Sequence, residues 1–298
     1  MEKITFTTED DVLISGLLWD AQSRTTVLLL HMMPATKDSW IQLANRLFHR
    51  GMNVLAIDLR GHGDSGGGSY KKFTAEEHYG YFKDKDAALA FIKERFPKTE
   101  IFMGGASIGA NLSLGQMADD HSVKKGFALS AGLDYYGVRA IDFVAKLDPE
   151  QSILLVGSRD DGRSDGQSCG DMAEQLGEAA TSQKQAIVYD TGGHGTDMWE
   201  EHPELLTLVT EFLVEWYIKR SGEHRMCPPF FRSGPVDDAP FDVVSGMGWL
   251  DVVASIILLT RCLFPKAGLV SGGDDDKRSS FSFIWEGDEL RAAGLLKQ

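Results

Sequence analysis

Four stretches of this chain carry the pattern Gly-x-Ser-x-Gly, centred on Ser65, Ser107, Ser164 and Ser168. A serine in this setting becomes a nucleophile when a sharp strand-to-helix turn lifts its hydroxyl above the end of a sheet. The flanking glycines let backbone pack against the turn where no side chain would fit. The pattern is short, so its surroundings must decide. Ser107 alone follows an apolar run (Ile101, Phe102, Met103) and precedes residues at helical spacing (Ile108, Leu112, Leu114, Met117). Ser65 runs into three glycines, and Ser164 and Ser168 lie well past the strand expected before them.

A nucleophilic serine needs a base, an acid to orient the base, and hydrogen-bond donors for the oxyanion. On a strand–turn–helix scaffold, acid and base follow the serine on loops after later strands. The base is expected after the last strand, where Asp190-Thr-Gly-Gly-His194-Gly places an imidazole between glycines. The acid is expected after the preceding strand, in Gly157-Ser-Arg-Asp160-Asp161. Spacing does not separate these two carboxylates; Asp161 is favoured over Asp160. One oxyanion donor is the backbone N–H of Ile108, at the start of a helix whose dipole adds to it. The second is expected in His31-Met-Met-Pro34, with Met33 favoured and Met32 next.

These residues must be carried by a parallel sheet. Residues 3–19 alternate around Glu9-Asp-Asp11, as an antiparallel hairpin does. Continuous apolar runs at 26–31, 53–57, 101–103, 126–130, 153–156 and 186–189 read as strands covered on both faces. Helical spacing falls between them, at 39–50, at 76–95 and after Ser107, and again at 203–219. The alternation implies an α/β fold with a mostly parallel, doubly wound sheet. Asp58-Leu-Arg60-Gly-His-Gly-Asp-Ser65 reads as a loop whose charged side chains brace the scaffold.

The 298 residues suit one large domain with an appendage, and 43% apolar content supplies a sizeable core. A net charge of −14 argues against nucleic acid and against anionic membrane surfaces. Cys169, Cys227 and Cys262 are too widely spaced for a metal site, and three free thiols are expected. The first residues lack the basic and apolar segments of a signal peptide, so a cytoplasmic protein is expected. The apolar run 252–260 is shorter than the ~20 residues a bilayer span requires.

Near residue 221 the pattern changes. Five of the nine prolines fall beyond it, and strand–helix alternation stops. A boundary is therefore expected between 1–220, the catalytic domain, and 221–298, a C-terminal extension. The apolar 241–264 stretch needs burial, on the core or through a homodimer contact. A strand is expected at 280–285.

Taken together, His31-Met-Met-Pro, Asp58-Leu-Arg-Gly-His-Gly-Asp-Ser, Gly105-Ala-Ser107-Ile-Gly109, Ser158-Arg-Asp-Asp161 and Gly193-His194-Gly-Thr resemble the α/β-hydrolase superfamily, over roughly residues 1–220. The nearest flavour is the compact serine esterases, with similarity to dienelactone-hydrolase-like and acylglycerol-lipase-like members. Two features depart from the family. His31-Met32 stands where His-Gly is common, and only about 20 residues (131–150) occupy the usual lid position, so no large lid is expected. The resemblance implies ester hydrolysis through an acyl-enzyme on Ser107, with neither cofactor nor metal, on small to medium acyl or aryl esters. A peptidase, amidase or thioesterase would share the triad. A non-catalytic binding protein on the same fold is the remaining alternative.

Overall fold

The computed structural model describes residues 1–162, 166–221, 268–271 and 281–284. Its sheet strands are β1 (Glu2–Thr7), β2 (Leu13–Trp19), β3 (Thr25–Leu30), β4 (Asn53–Ile57), β5 (Glu100–Ala106), β6 (Lys125–Leu129), β7 (Ser152–Ser158) and β8 (Gln183–Tyr189). The helices are α1 (Ile41–His49), α2 (Ala75–His78), α3 (Gly80–Arg95), α4 (Ile108–Asp119), α5 (Ala140–Val144), α6 (Cys169–Ala179), α7 (Met198–Glu201) and α8 (Glu204–Ser221).

The eight strands form one sheet in the order β1-β2-β4-β3-β5-β6-β7-β8. Antiparallel pairing joins β1 to β2 and β2 to β4, and every later pair is parallel. The apolar runs explain this sheet. In β3, Val27 and Leu29 pack on one face with Leu43 and Leu47 of α1 and Val209 and Leu213 of α8. Leu28 and Leu30 pack on the other with Ile92 of α3 and Leu112 of α4. Both faces are covered, so period-2 alternation buries every residue of the strand. Each such side chain contributes about 1.5–3 kcal/mol by leaving water.

Parallel strands on a doubly wound sheet end together, and the loops after them converge on one edge. Here the loops after β3, β5, β7 and β8 do so. The segment between β6 and β7 holds a turn bridged at Tyr135–Val138 and the five-residue α5, with no large lid.

The chain divides into Met1–Cys227 and Pro228–Gln298. In the second unit, β9 (Gly268–Ser271) and β10 (Phe281–Ile284) pair antiparallel. The strand expected at 280–285 is β10; the apolar run 252–260 lies outside the described residues. No described helix is long and apolar enough to cross a membrane.

Candidate active site

The turn between β5 and α4 is an elbow. Ser107 has φ 54° and ψ −122°, a conformation that costs a non-glycine residue free energy and persists only where neighbours enforce it. A Cβ on Gly105 would stand 2.1 Å from the Gly109 carbonyl oxygen. A Cβ on Gly109 would stand 2.2 Å from that of Leu30. The first turn of α4 therefore presses directly on the strand ends, and only glycine permits it. The Ser107 N–H donates to Leu129 O on β6 (2.9 Å), which fixes the turn to the sheet.

Two other matches to the serine pattern have structural work. Ser65 Oγ donates to Asp58 O (2.7 Å) and accepts from the Ser15 N–H (2.9 Å). Ser168 caps α6 by accepting from the Asp171 N–H. Ser164 lies outside the described residues. The Asp58–Ser65 loop is braced as its composition suggests. Buried Asp58 accepts from the Lys37 N–H and ammonium. Arg60 holds Asp10 with two guanidinium nitrogens and Asp84 with a third.

The loops after β7 and β8 bring Asp161 and His194 together. His194 Nδ1–H donates to Asp161 Oδ2 at 2.6 Å. Burial raises the Asp161 pKa, but hydrogen bonds from His194, the Cys169 thiol and Ser130 outweigh it and hold the carboxyl below its ordinary range. Asp160 points to other partners. Its two oxygens accept from the Gly192 and Gly193 N–H groups, each at 3.2 Å. The Ser158 hydroxyl beside it, then those backbone donors, hold its pKa below the ordinary range. The loop carrying His194 is also tied at Ser158 Oγ, which donates to Gly193 O (2.7 Å), and at Ser130 Oγ, which accepts from the Gly195 N–H (2.9 Å).

Sequence reasoning passed over Ser130, Ser158 and the part Asp160 plays in this loop. These are local polar residues 32 to 65 positions from their partners, and no motif spacing announces such contacts. Cys169 is likewise unannounced. It is the buried first residue of α6, and its N–H donates to Asp161 O (3.0 Å). Asp161, Cys169 and His194 place one oxygen, one sulfur and one nitrogen within 4.8 Å of one another. That donor set could hold a soft cation only by giving up the imidazole–carboxylate hydrogen bond. Here the three groups are satisfied by one another.

The loop after β3 carries Met32 and Met33. His31 staples it: Nδ1–H donates to Met32 O (2.8 Å) and Nε2 accepts from the Leu59 N–H (3.0 Å) after β4. Burial, reinforced by neighbouring His62, depresses the His31 pKa to about 4. The ring is therefore neutral, as the Leu59 bond requires. Among the described residues, nothing accepts from the N–H of Met33 or of Ile108. Ile108 opens α4, where the helix dipole favours negative charge.

Ser107, Asp161, His194 and Met33 line one cavity of about 580 Å³. Its remaining wall comes from Pro34, from Tyr70, Lys71, Phe73 and His78 ahead of α3, and from Tyr135 and Tyr136 after β6. No hydrogen bond joins Ser107 to His194 in this structure. Such contacts tighten when substrate is bound.

This sheet order, elbow and placement of loops define the α/β-hydrolase fold, and the chain has that fold. The family model described as "Serine aminopeptidase, S33" matches residues 21–148, less than half of the chain. No curated protein matches by sequence. Among solved structures, the esterase Pf2001 of Pyrococcus furiosus is 22% identical with a TM-score of 0.59, covering 72% of this chain and 92% of its own. Est1E of Butyrivibrio proteoclasticus, solved with ferulic acid bound, is 17% identical with a TM-score of 0.57, covering 74% and 100%. The esterase EaEST of Exiguobacterium antarcticum is 17% identical with a TM-score of 0.54, covering 73% and 100%.

Proposed function

We propose that this protein is a serine hydrolase of carboxylic esters, with Ser107 as nucleophile, His194 as general base and Asp161 as the orienting acid. The observation that carries the reading is the strained elbow at Ser107, opening into the cavity that holds the Asp161–His194 pair. Ser107 Oγ attacks the acyl carbon as His194 Nε2 takes its proton. The Met33 and Ile108 N–H groups receive the oxyanion. The carbonyl then re-forms, the carbon–alkoxy bond breaks, and His194 returns the proton to the departing alcohol. Water, deprotonated by His194, attacks the acyl-enzyme; the carboxylic acid leaves and Ser107 recovers its proton. Asp161 stays ionised throughout and stabilises the imidazolium.

The cavity volume, and a lid position occupied only by a turn and α5, favour small to medium acyl or aryl groups. The esterases among the structural neighbours point the same way. A second reading, amide hydrolysis, draws on the serine aminopeptidase match, because triad and oxyanion donors serve both reactions. Turnover of matched p-nitrophenyl ester, thioester and anilide substrates separates the two. We expect the ester to be preferred and an acyl-length series to decline beyond medium chains. Preference for the anilide, or a maximum at long acyl chains, would count against the reading.

A further inference from the structure

The cavity wall away from Ser107 is built from rings that hold one another. Tyr70 stacks on His62 at 4.1 Å with 11° between planes. Phe73 meets His78 edge-on at 5.7 Å, and His78 stacks on Tyr136 at 3.9 Å and 5°. The last contact bridges two segments far apart in sequence. It is made by a tyrosine with φ 53° and 47% exposure, held by a turn in which the Gly137 N–H donates to Asp134 Oδ1 (2.7 Å). An exposed tyrosine in a left-handed conformation persists where its position is over-determined. Rings fixed in this way lose little freedom when a ligand arrives. Tyr70, Phe73, His78 and Tyr136 all line the cavity, and an aromatic lining suits another ring.

Charge on the same wall is uneven. The chain carries a net charge of −14, yet among the described lining residues Asp161 is the one carboxylate, and it already accepts from His194. Among the described lining residues the one lysine is Lys71, which is exposed. Its Nζ lies 6.0 Å from the centre of the Tyr70 ring, and no described carboxylate pairs with it. An exposed cation unpaired with any described carboxylate, beside an aromatic wall, matches an anion carried on an aromatic ligand.

We infer that the site takes aromatic esters bearing a carboxylate, the ring lying against Tyr70, Phe73, His78 and Tyr136 and the carboxylate meeting Lys71. This rests on the esterase reading for its chemistry but not for its binding.

The test uses full-length Ser107→Ala protein, so that ligand stays intact, with affinities measured by NMR titration. The probes are 4-acetoxybenzoate, its neutral isostere 4-acetoxybenzamide, and the saturated 4-acetoxycyclohexanecarboxylate. The benzoate is expected to bind about 5-fold tighter than the amide, the scale of one partly screened ion pair, and tighter than the saturated acid. Adding Lys71→Met should bring the benzoate-to-amide ratio to about one. Equal binding of acid and amide, a ratio that survives Lys71→Met, a saturated ring bound as well as the aromatic one, or no binding of any probe would each overturn the inference. The two readings fail separately. Selective binding with no turnover by the wild-type protein sinks the esterase and leaves the binding site. Turnover of acid and amide with equal affinity does the reverse.

Discussion

At the residue scale, two neighbouring carboxylates reach different partners. Asp161 accepts from the His194 ring, whereas Asp160 accepts from the backbone of the loop that carries it. On the proposed mechanism, Asp161→Asn removes the charge that stabilises the imidazolium and lowers kcat about 10⁴-fold. Asp160→Asn keeps the ring's partner and loosens only its loop, so a loss of about 10-fold to 100-fold is expected. Steady-state kinetics on p-nitrophenyl acetate distinguish them, and the reverse order of losses would contradict the assignment. The sequence favoured Asp161 but could not separate the pair, since both follow β7 directly. What separates them is where His194 and the glycines before it lie in space. The same reason hides Ser130, whose partner is 65 residues away.

At the scale of elements, the loop after β3 depends on a neutral histidine. His31 accepts from the Leu59 N–H, and a protonated ring could not. Its pKa lies near 4 in the fold against 6.5 when unfolded. The unfolded chain therefore binds this proton first as pH falls. The stabilisation is complete above about pH 6.5 and is lost progressively towards pH 4, on the order of 3 kcal/mol in all. Urea unfolding at pH 7 and pH 4.5 should show a steeper loss for wild type than for His31→Leu, which has no proton to take up. Parallel losses would remove His31 from this role. The apolar strand runs were readable because both faces of the sheet are covered. Edges and breaks were not. In β8, Gln183, Lys184 and Gln185 are exposed at the sheet edge, so the strand starts three residues before its apolar part. The helix expected over 76–95 is two, α2 and α3. The Thr74–Glu77 capping box starts the first, and Gly80 opens the second where a Cβ would stand 2.6 Å from the Arg60 guanidinium. That tertiary contact leaves no periodic trace. Helix α6 buries Cys169, Met172, Ala173 and Leu176 among glycines and polar residues, too sparse an apolar pattern to be anticipated.

At the scale of the whole molecule, the proposed site needs one sheet edge. Ser107, Asp161, His194 and Met33 all follow strands of the first unit, Met1–Cys227. The candidate site was legible because the elbow, acid and base fall in order along that sheet. The substrate was not, because the wall that would select it comes from Tyr70–His78 and from Tyr136, segments with no motif of their own. Strand–helix alternation in the sequence stops at about residue 220, and the first unit runs on to Cys227. Protein cut after Cys227 should thus keep the nucleophile competent. The most direct measurement is intact-protein mass after a fluorophosphonate probe, on the full chain, on the chain cut after Cys227, and on full-length Ser107→Ala. The account predicts one adduct on each of the first two and none on the variant. An adduct that persists in Ser107→Ala, or full-length protein that stays unlabelled while folded, would contradict it.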